Sequence, residues 1–449
     1  MTAPRLFGTD GVRGAFGKPP LDRPTVTALG AEVGVMLAKR DDDRAPRVVL
    51  GGDTRDSTPT LCRWLAAGLA RSGCRAHYAG VLPTPGIAVL TRRLGAAAGV
   101  AVSASHNPHP DNGIKLIDEL GFKWSAEAEH ELETAILAHQ TRDDGGEAPE
   151  LTADRALARS YLDELAAAAP AKLEGLTVAL DTAHGAAVDL APELFRGLGA
   201  EVVTLGDAPD GENINRGCGS TRPEEMARRV AAAGCDLGFA FDGDADRVIP
   251  ADENGRLWDG DALLYLLAGE LAATGELDPP RIVATTMSNL GLEVALAERG
   301  VGIERCDVGD RVVVATLRRE RLRLGGEQSG HIIDLARATS GDGMLTALTV
   351  AGLVARSGRR LSELLNGFRR FPQVLLNVEV SAKPDLGSLP AVVHAAESVE
   401  RELGEHGRLV LRYSGTEPLA RVMIEGPDAT EVQRLAESLA NVIREEIGA

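Results

Sequence analysis

The chain has 449 residues, 44% of them apolar and 25% charged, with 51 glycines. It is too long for one ordinary hydrophobic core, and its balance is that of a globular protein with many tight turns, which excludes fibrous and disordered classes. A formal net charge of -18 repels nucleic acid and anionic membrane, so an anionic ligand must meet a local basic pocket.

One order of elements is predicted three times along the chain. The first copy opens with the strand RVVLGGDTR at 47–55 and a helix from Thr58 to Arg71, started by Pro59 and stopped by Gly73. Strands in CRAHYAG and AGVAVSASHNP follow. The second copy has a strand in LTVALDTAHG, a helix over 186–199, and strands in AEVVTLG and CDLGFAFDGDADR. The third has a strand in RIVATTMSN, a helix through Arg299, a strand in VGIERCDVGDR, a further helical stretch, and a strand in RLRLGGEQSGH. Strands alternating with helices predict α/β domains with mainly parallel mixed sheets covered on both faces, and ligands in such folds collect at the carboxyl ends of the strands. After a break at Phe371-Pro372 the pattern changes to strand, helix, strands through RLVLRYSGTEPLARVMIEG and a last helix from about Thr430, a smaller α+β domain. The expected domains are therefore 1–150, 151–253, 254–368 and 369–449.

Each copy ends its late strand on a polar loop. Ser103-Ala104-Ser105-His106-Asn107-Pro108 is rich in turn formers and taken alone reads as a turn, but a serine exposed at a strand end also suits phosphoryl transfer. Asp242-Gly243-Asp244-Ala245-Asp246-Arg247 crowds three carboxylates into five positions, a repulsion that a cation would relieve. Magnesium suits so few ligands supplemented by a phosphate oxygen. An EF-hand calcium loop with Glu253 as its last ligand is disfavoured, because Arg247 stands where glycine is needed and a strand leads in. An ordinary solvated acidic loop is the remaining alternative. Gly326-Glu327-Gln328-Ser329-Gly330-His331 offers groups for sugar hydroxyls or an amine, or is a structural turn. In the last domain, Arg412-Tyr413-Ser414-Gly415-Thr416-Glu417-Pro418 reads as a phosphate cradle or a capped surface turn.

Five cysteines, Cys62, Cys74, Cys218, Cys235 and Cys306, without CxxC spacing predict neither a disulfide framework nor a zinc site. The opening MTAPRLFGTDGVRG lacks a stretch of signal-peptide character, and no segment approaches the roughly 20 apolar residues of a membrane span, so a cytoplasmic protein is expected. No GxGxxG follows a strand and no GxxxxGK[ST] occurs, which argues against dinucleotide and P-loop chemistry.

Taken jointly, FGTDGVRG at 7–14, SASHNPHPDNGIK at 103–115, FDGDADR at 241–247, GEQSGH at 326–331 and RYSGTEP at 412–418 resemble the phosphohexomutase superfamily in order and spacing, across essentially the whole chain. The opening motif, the GEQSGH loop and SGTEPLARVMIEG look most like the bacterial phosphoglucosamine mutases within it. The resemblance implies interconversion of glucosamine 6-phosphate and glucosamine 1-phosphate, feeding amino-sugar and peptidoglycan precursors, through phosphoserine at Ser105 and a hexosamine 1,6-bisphosphate that serves as intermediate or activator. It implies one Mg²⁺ per subunit on Asp242, Asp244, Asp246 and a phosphate oxygen at Ser105. Lys115 falls on a proton-transfer position, while Arg13, His106, Arg247 and His331 would line the reacting phosphate and hydroxyl. Glu327 and Ser329 would contact the sugar, and Arg412, Ser414, Gly415, Thr416 and Arg421 the phosphate that is not reacting. Val312 replaces a tyrosine often seen in the third-domain sugar loop, and Tyr413 stands where proline is frequent. The implied partner is a small-molecule sugar phosphate, with no nucleic acid or membrane, and the assembly a homodimer. The rival readings are a phosphoglucomutase or phosphomannomutase of the same fold, a non-catalytic sugar-phosphate sensor, and a phosphatase.

Overall fold

The computed structural model describes residues 6–8, 10–39, 45–138, 148–414 and 417–449. The apolar run ahead of Gly51 becomes β2 (Arg47–Gly52), the second strand to follow β1 (Val12–Ala15), and lies parallel to both β3 (Arg75–Val81) and β4 (Ala98–Val102). Beyond β4 the chain turns back through SASHNP into β5 (Asp111–Ile117), antiparallel to β4 and to β1, giving the order β1-β5-β4-β2-β3.

The same plan recurs. In the second sheet, β6 (Thr177–Asp181) is parallel to β7 (Glu201–Leu205) and β8 (Leu237–Phe241), and β9 (Val248–Asp252) returns antiparallel to β8. The third sheet has β10 (Arg281–Thr285) and β11 (Gly302–Cys306), then β12 (Leu324–Gly326) parallel to β10, and β13 (Ile332–Asp334) antiparallel to β12. Its strand order is β11-β10-β12-β13, against β7-β6-β8-β9 for the second. The first three polar loops singled out in the sequence are thus turns of hairpins whose first strand belongs to the parallel part of its sheet.

These returning strands were not anticipated. No element was expected at β9, β13 or β5, although Asp111–Ile117 carries an apolar alternation after Asn112-Gly113. The helix at Thr58–Arg71 has the expected bounds. The helix expected over 186–199 runs only from Leu190 to Gly197, because the residues before it form turns, with Ala183 and His184 at positive φ and Ala186 N–H donating to the Gly243 carbonyl. The third-copy helix stops at Ala297, two residues short of the expected Arg299.

The chain divides into two compact units, residues 1–286 with 304–366, and residues 287–303 with 367–449. The second unit is built on an antiparallel sheet of β14 (Gln373–Glu379), β15 (Arg408–Tyr413) and β16 (Leu419–Glu425), in the order β14-β16-β15. Val392 and Val399 of one helix and Val432, Leu435, Leu439 and Ile443 of the C-terminal helix bury against it. The helix Leu290–Ala297 belongs to this unit, and a contact explains why: the buried Glu425 carboxylate accepts from Asn289 Nδ2 at 3.2 Å and from Leu290 N–H at 3.3 Å, with Arg408 as its counter-ion at 2.7 Å. The carboxylate thereby satisfies donors at a helix N-terminus and complements its dipole.

In the first unit, the helices Arg23–Ala38 and Thr58–Arg71 cross backbone to backbone. A Cβ on Gly30 would lie 2.4 Å from the Leu65 carbonyl oxygen, and one on Gly68 only 2.1 Å from that of Thr27. Main chains cannot yield as side chains do, so Gly30→Ala should cost about 1 to 3 kcal/mol through overpacking. The measurement is the shift of the urea midpoint for unfolding of the first unit, and an unchanged midpoint would refute the contact.

Candidate active site

The serine loop meets the triad loop at Ser105, and the GEQSGH loop meets the triad loop at Asp246 through His331. Ser105 is only 2% exposed, in contrast to the exposure expected of it, because Asp242, Gly243 and Asn215 of the second sheet's loops pack against it. Ser105 has φ 53, in the left-handed region that non-glycine residues seldom adopt. Its Oγ donates to Asp242 Oδ2 at 2.6 Å and lies 3.3 Å from His106 Nδ1. Gly243 makes this approach possible, since a Cβ there would stand 2.5 Å from the Ser105 carbonyl oxygen.

The acidic triad is buried as well: Asp242, Asp244 and Asp246 are 0%, 1% and 5% exposed. One oxygen from each lies within 4.8 Å of the others. Asp242 Oδ1 accepts from Arg247 N–H at 3.1 Å, and Asp244 Oδ2 accepts from Thr84 Oγ1 at 2.6 Å and Lys115 Nζ at 2.8 Å. Asp244 Oδ1 and Asp246 Oδ1 are buried with no hydrogen-bond partner. Burial, reinforced by the charges of Asp246 and Asp244, pushes Asp242 well above the usual carboxylate range. Orphaned oxygens and a carboxylate driven toward protonation are what a divalent cation would correct, so this donor set fits a hard metal ion. Glu253, the last ligand of the rejected calcium-loop reading, bonds instead to Ser362.

Lys115 reaches the triad from β5. It is 1% exposed, with Asp244 at 2.8 Å, Asp10 at 3.2 Å and Asp246 at 3.5 Å. Burial alone would favour the neutral amine, but Asp10, Asp244 and Asp246 outweigh it and hold Lys115 charged, well above the usual lysine range. Burial likewise opposes ionisation of Asp246, and Lys115 and His331 overcome it. His331 Nδ1 lies 3.6 Å from Asp246 Oδ1, and its Nε2 accepts from Gly341 N–H at 3.1 Å, which places the ring proton on Nδ1. His106 is half-buried, and burial with the charges of Arg247 and Arg13 depresses its pKa, leaving a neutral ring whose Nδ1 lies 3.3 Å from Arg247. Arg13 pairs with Asp10 at 2.6 Å. Glu327 accepts from Gly309 N–H at 3.0 Å and so ties the GEQSGH loop to the start of the helix Asp310–Glu320, on which Val312 lies and not on the loop expected of it, while Ser329 is exposed.

The second unit carries its own cluster. Arg412 is exposed on β15, directly opposite Arg421 on β16. Arg421 lies 3.4 Å from Ser414 Oγ and 3.0 Å from Glu417, and Lys383 Nζ donates to the Ser414 carbonyl at 2.6 Å. Gly415 and Thr416 lie outside the described residues. Lys383 and Thr84 had no role in the sequence reading, since each is an isolated polar residue far along the chain from the motif it touches, and Asp10, within FGTDGVRG, was passed over in favour of Arg13.

A buried serine, an acidic triad and converging cations at the carboxyl ends of three α/β sheets suit phosphoryl transfer. Family models for the four domains of phosphoglucomutase/phosphomannomutase match in chain order: alpha/beta/alpha domain I at 4–143, domain II at 159–255, domain III at 259–371 and the C-terminal domain at 375–442. A phosphoglucosamine mutase of Thermus thermophilus is 47% identical over 441 residues, covering 98% of each chain. Among solved structures, a phosphoglucomutase/phosphomannomutase family protein of Burkholderia thailandensis superposes with a TM-score of 0.81 at 23% identity, covering 99% of each chain. An N-acetylphosphoglucosamine mutase of Aspergillus fumigatus, in complex with GlcNAc-6P and magnesium, has a TM-score of 0.65 at 19% identity, covering 98% of this chain and 96% of its own. The chain belongs to the phosphoglucomutase/phosphomannomutase family, within the phosphohexomutases. It is a mutase, an isomerase.

If the orphaned triad oxygens take a divalent cation, ligand linkage will raise the thermal midpoint of the protein as metal is added. With Mn²⁺ as probe, Asp244→Asn should weaken the apparent affinity by about tenfold or more while leaving the metal-free midpoint close to wild type. Equal midpoint rises in both proteins would remove Asp244 from the ligand set.

Proposed function

We propose that this chain interconverts glucosamine 6-phosphate and glucosamine 1-phosphate through a phosphoserine at Ser105. The observation that carries the reading is Ser105 Oγ at 2.6 Å from the acidic triad, inside a chain 47% identical over 98% of its length to a phosphoglucosamine mutase. In the first half-reaction the P–Oγ bond of phospho-Ser105 breaks as a P–O bond forms to the free sugar hydroxyl, whose proton is accounted for by Ser105 ending as an alcohol. The product is a hexosamine 1,6-bisphosphate, and after it reorients, the other phosphate returns to Ser105 by the reverse exchange.

Asp242, Asp244, Asp246 and an oxygen of phosphorylated Ser105 would hold Mg²⁺, one per subunit, which when bound supplies neutralising charge to the transferring group. Arg13, Arg247 and His106 cluster beside Ser105 and would bind the phosphoryl oxygens. Lys115, 2.8 Å from Asp244 and 3.5 Å from Asp246, would carry the proton of the reacting hydroxyl. His331, with its proton on Nδ1 and held by Gly341, would orient the reacting end of the sugar, and Glu327 and Ser329 would contact its hydroxyls or amine. Arg412, Ser414, Gly415, Thr416 and Arg421 would grip the phosphate that is not reacting, with Lys383 added to their number by its bond to Ser414.

This reading keeps the domains at 1–150, 151–253, 254–368 and 369–449, which the four family segments overlap. A cytoplasmic setting fits the five free cysteines, four of them buried, and among the described residues no helix is long and apolar enough to cross a membrane. Glucose and mannose phosphates are the alternative substrates within the same fold.

A coupled assay on the glucosamine, glucose and mannose phosphates ranks the substrates, and intact mass should find phosphate on Ser105 in the active protein. Ser105→Ala should abolish turnover, and full activity in that protein would overturn the nucleophile assignment. Arg412 can make two parallel charge-assisted bonds to phosphate. Arg412→Ala should lower kcat/KM roughly ten- to hundredfold in both directions, chiefly through KM, and still permit phosphorylation of Ser105. Unchanged kinetics would remove the cradle role.

A further inference from the structure

The loop that carries Ser105 is held from behind by two side chains outside its motif. Arg55 NH2 donates to the Asn107 carbonyl at 2.6 Å and to the Ser105 carbonyl at 3.3 Å. Asn215 Nδ2 donates to the same two oxygens, at 2.9 Å to Ser105 and 3.2 Å to Asn107. Arg55 is 1% exposed and is neutralised by the buried Asp53, itself accepting from Thr58 Oγ1 at 3.1 Å. Asn215 comes from the long loop of the second sheet and is itself in the left-handed region, φ 58, a conformation asparagine tolerates better than most residues. The Ser105 N–H is fixed independently by Ser103 Oγ at 2.9 Å.

We propose that Arg55 and Asn215 are positioning residues that clamp the Ser105 and Asn107 carbonyls so that the serine stays in place whether or not it carries phosphate. The inference rests on the phosphoserine reading above. In each turnover Ser105 loses a dianionic group and must recover one. A loop located only through its Oγ contacts would be released when the phosphate departs, because those contacts change with it. The clamp touches only main-chain carbonyls, so it is indifferent to the state of Oγ. It also helps hold the serine in its left-handed conformation, φ 53. Its value is greatest in the second half-reaction, when the dephosphorylated serine must attack the bisphosphate before that intermediate escapes. There the P–O bond to the sugar breaks, the P–Oγ bond forms, and the serine proton ends on the departing sugar oxygen. Misplacement of a reacting group by about an ångström can cost a hundredfold in rate. Loosening the clamp therefore favours escape over recapture.

The test uses the full-length enzyme loaded with phosphate at Ser105 and its Mg²⁺. Asn215→Gly deletes the amide without adding strain at positive φ, and Asn215→Asp keeps the shape but turns the donor into an acceptor facing two carbonyl oxygens. With radiolabelled sugar phosphate, the ratio of bisphosphate released to product formed is measured, together with the decay of activity and its restoration by glucose 1,6-bisphosphate. Being a ratio, it counts only folded, working molecules, so a partly unfolded variant still gives an answer. Both variants are expected to raise the ratio about tenfold and to become dependent on added glucose 1,6-bisphosphate, with KM near wild type. Arg55→Lys, which keeps the charge beside Asp53 but loses the planar fork, should show a smaller rise. A wild-type ratio in both Asn215 variants, whatever their kcat or stability, overturns the clamp. Absence of turnover in the wild-type enzyme itself would instead overturn the mutase reading.

Discussion

Three carboxylates buried within 4.8 Å of one another repel too strongly to persist without positive charge around them, and much of the first unit can be understood as the supply of that charge. Lys115 brings its charge from the first sheet and Arg247 from the triad loop itself, while His331 of the third sheet turns Nδ1 toward Asp246. No one sheet provides the set. The loops must converge for any of the acidic groups to be buried, and the acidic groups reward their convergence. Even so, two triad oxygens, Asp244 Oδ1 and Asp246 Oδ1, make no hydrogen bond, a demand that a cation would meet.

The same constraint explains the recurring hairpin. A parallel α/β strand normally hands the chain to a helix at its carboxyl end, which would carry a loop residue away from the sheet. Here β4, β8 and β12 each hand it to an antiparallel neighbour, so the turn stays at the sheet's end and is tied down on both sides. Lys115 illustrates the benefit. It lies on β5, paired with Ala101 on β4, ten residues after Ser105 along the chain, and is delivered to the triad by strand register and not by a flexible loop.

What was legible in the sequence was whatever chemistry lies in contiguous residues. The triad, the serine loop and the Arg412 loop are short runs whose composition is unusual enough to notice, and the parallel strands are apolar runs bounded by glycine. The returning strands were missed because their residues serve two roles: β5 and β9 contain Asn, Lys and Asp beside their apolar positions, which reads as loop. Ser105 was expected to be exposed, since a nucleophile considered alone needs access; its burial arises from Gly243 and Asn215 in another domain segment, a fact of tertiary proximity that no local pattern encodes. Arg55 and Asn215 are 50 and 110 residues from Ser105, and each looks like an ordinary polar residue near a turn.

Burial of the serine also bears on which reaction class the site favours. A phosphatase benefits from water at the phosphoryl group, whereas a mutase must keep the group from water while passing it between two oxygens. Ser105 at 2% exposure, wedged between Gly243 and the acidic triad, is a poor place for a hydrolytic water and a good one for a group that is to be returned. A non-catalytic sensor would need neither condition: it could bind sugar phosphate through cations alone, with no reason to bury three carboxylates at considerable electrostatic cost beside a serine hydroxyl. The costly part of this structure is therefore the part that binding alone does not require, and that asymmetry favours turnover over recognition as its purpose.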